Sequence, residues 1–137
     1  MTIKLVRDLM HIGVPTCRAE TSLAEAVYIL CREGIEGLVV LDERGHAVGL
    51  FGRAEAVATY GLSSSMAQDW ASLTVAEAMR PDIPQVPADI PAPAAAQLML
   101  DQQVRALYLL HHDGGICWPA AVFGFADVLR YLVDHSG

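Results

Sequence analysis

No apolar run in this 137-residue chain approaches the roughly 18 to 20 residues needed to cross a bilayer; the longest, 37–41, 106–110 and 118–126, fall well short. No membrane span is expected. Lys4, Arg7 and Asp8 interrupt the N-terminal residues, so the continuous apolar core of a secretory signal is missing and a cytoplasmic location is the expectation. Cysteine is scarce: Cys17, Cys31 and Cys117 form an odd set without CxxC spacing, which excludes a disulfide framework and a zinc knuckle and reads as reduced, mostly buried thiols. Positive charge is short too, with 9 Lys and Arg against 16 Asp and Glu, a net charge of −7 and a pI near 5.0. Broad attraction to nucleic acid is excluded on that balance, and an anionic ligand would need locally placed arginines. No G-x-S-x-G elbow, H-E-x-x-H pair, P-loop or dinucleotide glycine fingerprint occurs, and no base is evident beside any cysteine, so an enzyme is not expected.

What is abundant is apolar content, 53% of residues, ample for a buried interior and contrary to disorder. The chain also repeats itself. Val6-Arg7-Asp8-Leu9-Met10 falls on Val75-Ala76-Glu77-Ala78-Met79, an offset of 69, each a short turn with a central acid and a closing methionine. Residues 16–20 fall likewise on 85–89. A first long helix is predicted to start at Ser22, with Glu25 completing a capping box, and to stop at Gly34. Its stripe of Leu23, Ala26, Val27, Leu30 and Cys31 maps by the same offset onto Ala92, Ala95, Ala96, Met99 and Leu100, with Pro91 and Pro93 suited to a helix start.

Each helix leads into a short apolar run, 35–41 and 104–110, read as a strand buried on both faces. Turn residues 42–45 and 111–115 then imply hairpins to returning strands at 47–51 and 116–123. A closing helix follows in each half, where Gly52-Arg53-Ala54-Glu55 falls on Gly124-Phe125-Ala126-Asp127. The offset here is 72, so the second hairpin is three residues longer. The fold class expected is therefore α/β (α+β) with two β-α-β-β-α repeats: 1–61, a linker at 62–73 holding Ser63-Ser64-Ser65 and about one helical turn, and 74–137.

Duplicated units of this kind, with an acid opening the last helix, resemble a tandem pair of cystathionine β-synthase (CBS) domains over nearly the whole chain. The resemblance implies two repeats packed about a pseudo-twofold axis. It also implies clefts between them for adenosine-containing ligands such as AMP, ADP, ATP, S-adenosylmethionine or NAD, as regulatory ligands rather than required cofactors. A disc-like homodimer and an unknown regulated protein on another chain follow from the same likeness.

The family's base contacts carry over to Thr16, Cys17, Gly37 and Leu38 in the first half and to Gln85, Val86, Ala106 and Leu107 in the second. Its G-h-h-T/S-x-x-D motif, whose hydroxyl and helix start hold phosphate and whose Asp holds ribose, carries over to Gly52, Arg53 and Glu55 and to Gly124, Phe125 and Asp127. Glycine replaces the hydroxyl residue in both halves, and Glu55 replaces the first Asp. Asp127 keeps the family residue, so its site is the favoured one. Arg53 and Arg105 are candidate anion partners.

Each feature also has a plainer reading. An acid at a helix start is favoured by the helix dipole without any ligand, and an arginine in a first turn is commonly just exposed. His111, His112 and Cys117 around the second hairpin match no zinc spacing and read as a solvated turn, with no metal expected. Trp118 reads as packing against its own domain. The two functions left open are a sensor that changes a partner when an adenosine-containing ligand binds, and a CBS-type dimerisation or docking module whose nucleotide sites are lost.

Overall fold

The structure, a computed structural model, describes residues 2–66 and 69–136, the side chains of 63–66 apart. Its elements run α1 (Val6–Leu9), β1 (His11–Ile12), β2 (Thr16–Arg18), α2 (Leu23–Glu33), β3 (Gly37–Leu41), β4 (Ala47–Gly52), α3 (Arg53–Met66), a 3-10 turn (Trp70–Ser72), α4 (Val75–Ala78), α5 (Ala92–Gln102), β5 (Ala106–Asp113), β6 (Ile116–Gly124) and α6 (Phe125–Asp134). Helices and two three-stranded sheets make a mixed α+β fold, one sheet ordered β2-β3-β4 and the other β1-β6-β5. No helix among the described residues is long and apolar enough to cross a membrane.

Local chemistry accounts for most element ends. Ser22 Oγ accepts the Glu25 N–H at 3.2 Å and opens α2, the serine half of the expected capping box. Gly34 closes it at φ 61°, the left-handed conformation that glycine takes at no steric cost. By the repeat, Gln103 stands in that same role at the end of α5 and adopts φ 58° as the one non-glycine among the described residues with positive φ. The second hairpin turns on Gly114 and Gly115 alone, both at positive φ, so His111 and His112 lie in strand β5 rather than in the turn.

Three expectations need adjustment. The first strand of the second β-α-β-β-α repeat shrinks to a single parallel bridge, Gln85 to Tyr108. Helix α3 continues to Met66, into the stretch expected to be a linker, since no proline interrupts it; residues 67 and 68 lie outside the described residues. Cys31 is exposed, unlike Cys17 and Cys117, and its counterpart Leu100 is exposed as well, so each helical stripe is narrower than its spacing suggested.

The chain forms two compact units that draw on both halves of the sequence. One comprises residues 1–14, 84–111 and 119–137, the other residues 15–83 and 112–118. Their cores use equivalent positions. In the first unit Val6, Val86, Ala92, Ala95, Met99, Leu107 and Phe123 pack together; in the second Val75, Cys17, Leu23, Ala26, Leu30, Leu38 and Phe51 do so, with Val40.

The leading turn of each repeat thus plugs the core built by the other repeat. Backbone bonds repeat the exchange: Val6 and Arg7 donate to the carbonyls of Ile90 and Ala88 at 2.9 Å, as Val75 and Ala76 donate to those of Thr21 and Ala19 at 2.8 and 2.9 Å. Asp8 accepts the Leu5 N–H at 2.8 Å and Glu77 the Thr74 N–H at 2.7 Å, so the central acid of each turn caps its own start. Hydrogen bonds from the Thr74 amide and hydroxyl hold the Glu77 carboxyl below its ordinary range.

Candidate functional site

The candidate residues of the first repeat all fall in the second unit. Strand β2 runs parallel to β3 with Thr16 opposite Val39, and β3 runs antiparallel to β4 with Gly37 opposite Gly52 and Leu38 opposite Phe51. That register brings the start of β3 beside the junction of β4 and α3, where Arg53 donates its backbone N–H to the Glu36 carbonyl at 3.3 Å. Glu55, in the first turn of α3, reaches back and accepts the Gly52 N–H at 2.8 Å. The Arg53 guanidinium lies over the end of α2, donating to the carbonyls of Ile35 at 3.1 Å and Leu30 at 3.5 Å. It therefore ties the start of α3 to the end of α2 and the residue leading out of it.

The counterparts of the second repeat lie in the first unit in the same arrangement. Phe125 donates its N–H to the Arg105 carbonyl at 3.0 Å, and Gly124 donates to Asp127 Oδ2 at 2.8 Å. The Arg105 guanidinium stacks over the Phe125 ring, 5.3 Å from its centroid. Gln85 is exposed and Ala106 buried. Alternation along the strands divides the remaining candidates: the side chains of Cys17, Leu38, Val86 and Leu107 belong to the two cores, which leaves their backbones as their contribution to any site. Burial, with the negative charge of Glu25 adding to it, pushes the Cys17 thiol up to about 11.

Both glycines at the hydroxyl positions sit under close carbonyls. A Cβ on Gly52 would lie 2.9 Å from the Glu36 oxygen, and one on Gly124 3.2 Å from the Arg105 oxygen. The missing hydroxyls therefore go with a tight strand-to-helix turn, tighter in the first repeat.

Asp127 is the buried charged residue of the described structure, its side chain 0% exposed. Oδ1 takes Nδ1 of His11 at 2.8 Å and Nη1 of Arg130 at 3.2 Å, while Oδ2 takes the Gly124 amide, so neither oxygen is without a partner. Beside the cluster is a pocket of about 220 Å³ between α1 and α6, lined by Lys4, Asp8, Asp127, Arg130, Tyr131 and His135 among others. In the second unit the position matching His11 is Arg80, which follows Met79 as His11 follows Met10. Its side chain pairs with Asp82 at 2.6 Å, and that bond, with the charge of Glu55 as a smaller influence, pushes its pKa up. His11, Arg80 and Arg130 were not among the expected site residues. Extending the repeat alignment one residue past each methionine would have paired His11 with Arg80.

No group of three or more His, Cys, Asp or Glu able to hold a metal occurs among the described residues. At the second hairpin, His46 Nδ1 instead accepts the Cys117 backbone N–H at 2.9 Å.

A family model for the CBS domain matches the chain twice, at residues 6–59 and 75–134. The chain belongs to the CBS domain family. Among curated proteins, arabinose 5-phosphate isomerase KdsD of Pseudomonas aeruginosa is 30% identical over 129 residues, 91% of this chain but 37% of the isomerase, so this chain spans a little over a third of that relative. Among solved structures, CBSX2 in complex with AMP superposes with a TM-score of 0.76 at 21% identity, covering 97% of this chain and 98% of that one. The CBS domain pair of MJ0100, in complex with 5′-methylthioadenosine and S-adenosyl-L-methionine, gives the same TM-score and coverage at 20% identity. At these identities the structural likeness establishes a shared CBS-pair fold.

Proposed function

We propose that this CBS pair is a regulatory module whose input is an adenosine-containing ligand, AMP, ADP, ATP or S-adenosylmethionine, and whose output is a change in a partner protein. The observation that carries the reading is the strand-to-helix turn at Gly124–Asp127. A buried carboxylate, a histidine and an arginine converge there at the family's ribose position, on the fold that CBSX2 and the MJ0100 pair use with adenosine compounds. Binding acts by population shift: the ligand favours whichever conformation it contacts better, to the extent of that difference in affinity. No reaction is assigned to the chain. The isomerase activity of the longer Pseudomonas aeruginosa relative is not carried over, because most of that protein has no counterpart in the matched region.

The module is read as a homodimer. Leu129 and Leu132 on α6 are 60% and 55% exposed, and Val57 and Tyr60 occupy the matching positions of α3, 72 residues earlier, also exposed. Apolar residues presented by both closing helices fit an interface.

The test is thermal stability of the purified protein with AMP, ADP, ATP, S-adenosylmethionine and NAD. A ligand at 100 times its dissociation constant adds about 2.7 kcal/mol to stability. A rise in midpoint with one compound supports the sensor and identifies its ligand class.

A second reading is favoured by one observation, the crowding at the hydroxyl positions, where a Cβ would meet a carbonyl oxygen at 2.9 Å over Gly52 and at 3.2 Å over Gly124. There the nucleotide sites are lost and the module serves dimerisation or docking. It expects a stable dimer that no adenine compound stabilises.

A further inference from the structure

We infer that Asp127 acts on a ligand through His11, which presents Nε2 as a hydrogen-bond acceptor to a hydroxyl or amine of the bound compound. The inference rests on the adenosine-ligand reading and changes which residue makes the contact.

Exposure separates the two groups. The Asp127 side chain is 0% exposed, whereas that of His11 is 48% exposed. A direct contact to Asp127 would require a ligand to reach a side chain closed off from solvent and already holding His11, Arg130 and the Gly124 amide. His11 needs no such rearrangement.

The protonation pattern follows from the partners. A backbone amide and a guanidinium can only donate to Asp127, and the side chain in its carboxylate form only accepts. The 2.8 Å contact from His11 Nδ1 to Oδ1 therefore places the imidazole proton on Nδ1. A neutral imidazole has one N–H, which leaves a lone pair on Nε2. That nitrogen has no protein partner among the described residues.

The ring is also held in place. His11 lies on β1, whose pairing with β6 sets its backbone opposite Val122, and the buried acid holds the ring through Nδ1. Asp127 is thus a positioning residue: it orients the imidazole and selects the tautomer, while Nε2 meets the ligand. The complementary chemistry is an O–H or N–H donor, which an adenosine compound offers at its ribose hydroxyls and its 6-amino group.

The experiment uses the full chain labelled with ¹⁵N-histidine, long-range ¹H–¹⁵N spectra at pH 8, and titration with AMP; the His11 signals are assigned by their loss in H11F. The expected wild-type signal is the Nδ1–H tautomer. In Asp127→Asn the side-chain oxygen stays with the Gly124 amide and the NH₂ faces His11, so the tautomer inverts to Nε2–H. AMP is expected to move the Nε2 resonance, and H11F to weaken AMP binding about tenfold, as the loss of one hydrogen bond predicts.

Comparing 2′-deoxy-AMP and 3′-deoxy-AMP with IMP separates a ribose donor from the amine, since the analogue lacking the donor leaves Nε2 unmoved. An Nε2–H or doubly protonated ring in the wild type overturns the inference. So does AMP binding that neither moves Nε2 nor weakens in H11F, or a shift that persists with all three analogues. In those cases the sensor reading stands and His11 is only a cover over Asp127. If no adenine compound binds the wild type, the sensor reading fails and the contact fails with it.

Discussion

Gly124 donates its backbone N–H to Asp127 Oδ2 at 2.8 Å, and Gly52 makes the same bond to Glu55 Oε1 at the same distance. The acids of the two strand-to-helix turns are therefore caps of their own helices, whatever ligand they serve. Asp127→Ala leaves a buried amide, His11 and Arg130 without their acceptor, and a cost of about 1–3 kcal/mol is expected. Glu55 is only half-buried, so Glu55→Ala should cost less. Urea unfolding of the two variants measures the difference; an undisturbed midpoint for Asp127→Ala would show that the buried cluster contributes nothing to stability.

Restoring the family hydroxyl separates the two repeats. A Cβ at 52 meets a carbonyl oxygen at 2.9 Å and one at 124 meets its counterpart at 3.2 Å. Gly52→Ser is expected to lose about 1–3 kcal/mol through overpacking, and Gly124→Ser clearly less. Thermal midpoints of the variants, with and without AMP, give both answers, because Gly124→Ser also regains a phosphate donor and should increase the AMP-dependent rise.

Gln103 occupies a left-handed position that its counterpart Gly34 fills without strain. Gln103→Gly is expected to stabilise the protein by about 1 kcal/mol, read as a higher denaturation midpoint. A loss of stability would mean that the extra freedom of glycine in the unfolded chain outweighs the relief.

The cysteines give a pH signature. The folded Cys17 thiol is pushed up to about 11, above the ordinary thiol value, so the native state keeps its proton while the unfolded chain ionises. Stability from this group is full below the unfolded value and is lost as pH rises from about 9 toward 11. Cys17→Ala, compared with wild type by unfolding at pH 8 and pH 10, should remove that part of the alkaline loss. A thiol reagent on the native protein at pH 8 should meanwhile modify exposed Cys31 first and buried Cys17 and Cys117 slowly.

Periodicity and the 69-residue offset were enough to place α2, α5, both hairpins and the family, because amphipathic spacing and turn residues are local signals. The narrowing of each stripe at Cys31 and Leu100 was not legible, since exposure depends on which neighbour covers a helix face. Nor did local pattern show that four proposed contact residues, Cys17, Leu38, Val86 and Leu107, commit their side chains to the cores. The glycine-and-acid turns were readable as motifs. Their carboxylate partners were not, because His11 and Asp127 are 116 residues apart.

The exchange of Val6 and Val75 between cores has a consequence for synthesis. The first unit contains both the opening 14 residues and the last stretch of the chain, and its core includes Phe123 together with Val6. During synthesis much of the second unit can assemble from residues 15–83, yet residues 6–9 must wait, unpacked, for β5 and β6, which are translated after that stretch. Truncation near the C-terminus would therefore strand the N-terminus as well, and a fragment ending after the first repeat would carry Val6 with no core to enter.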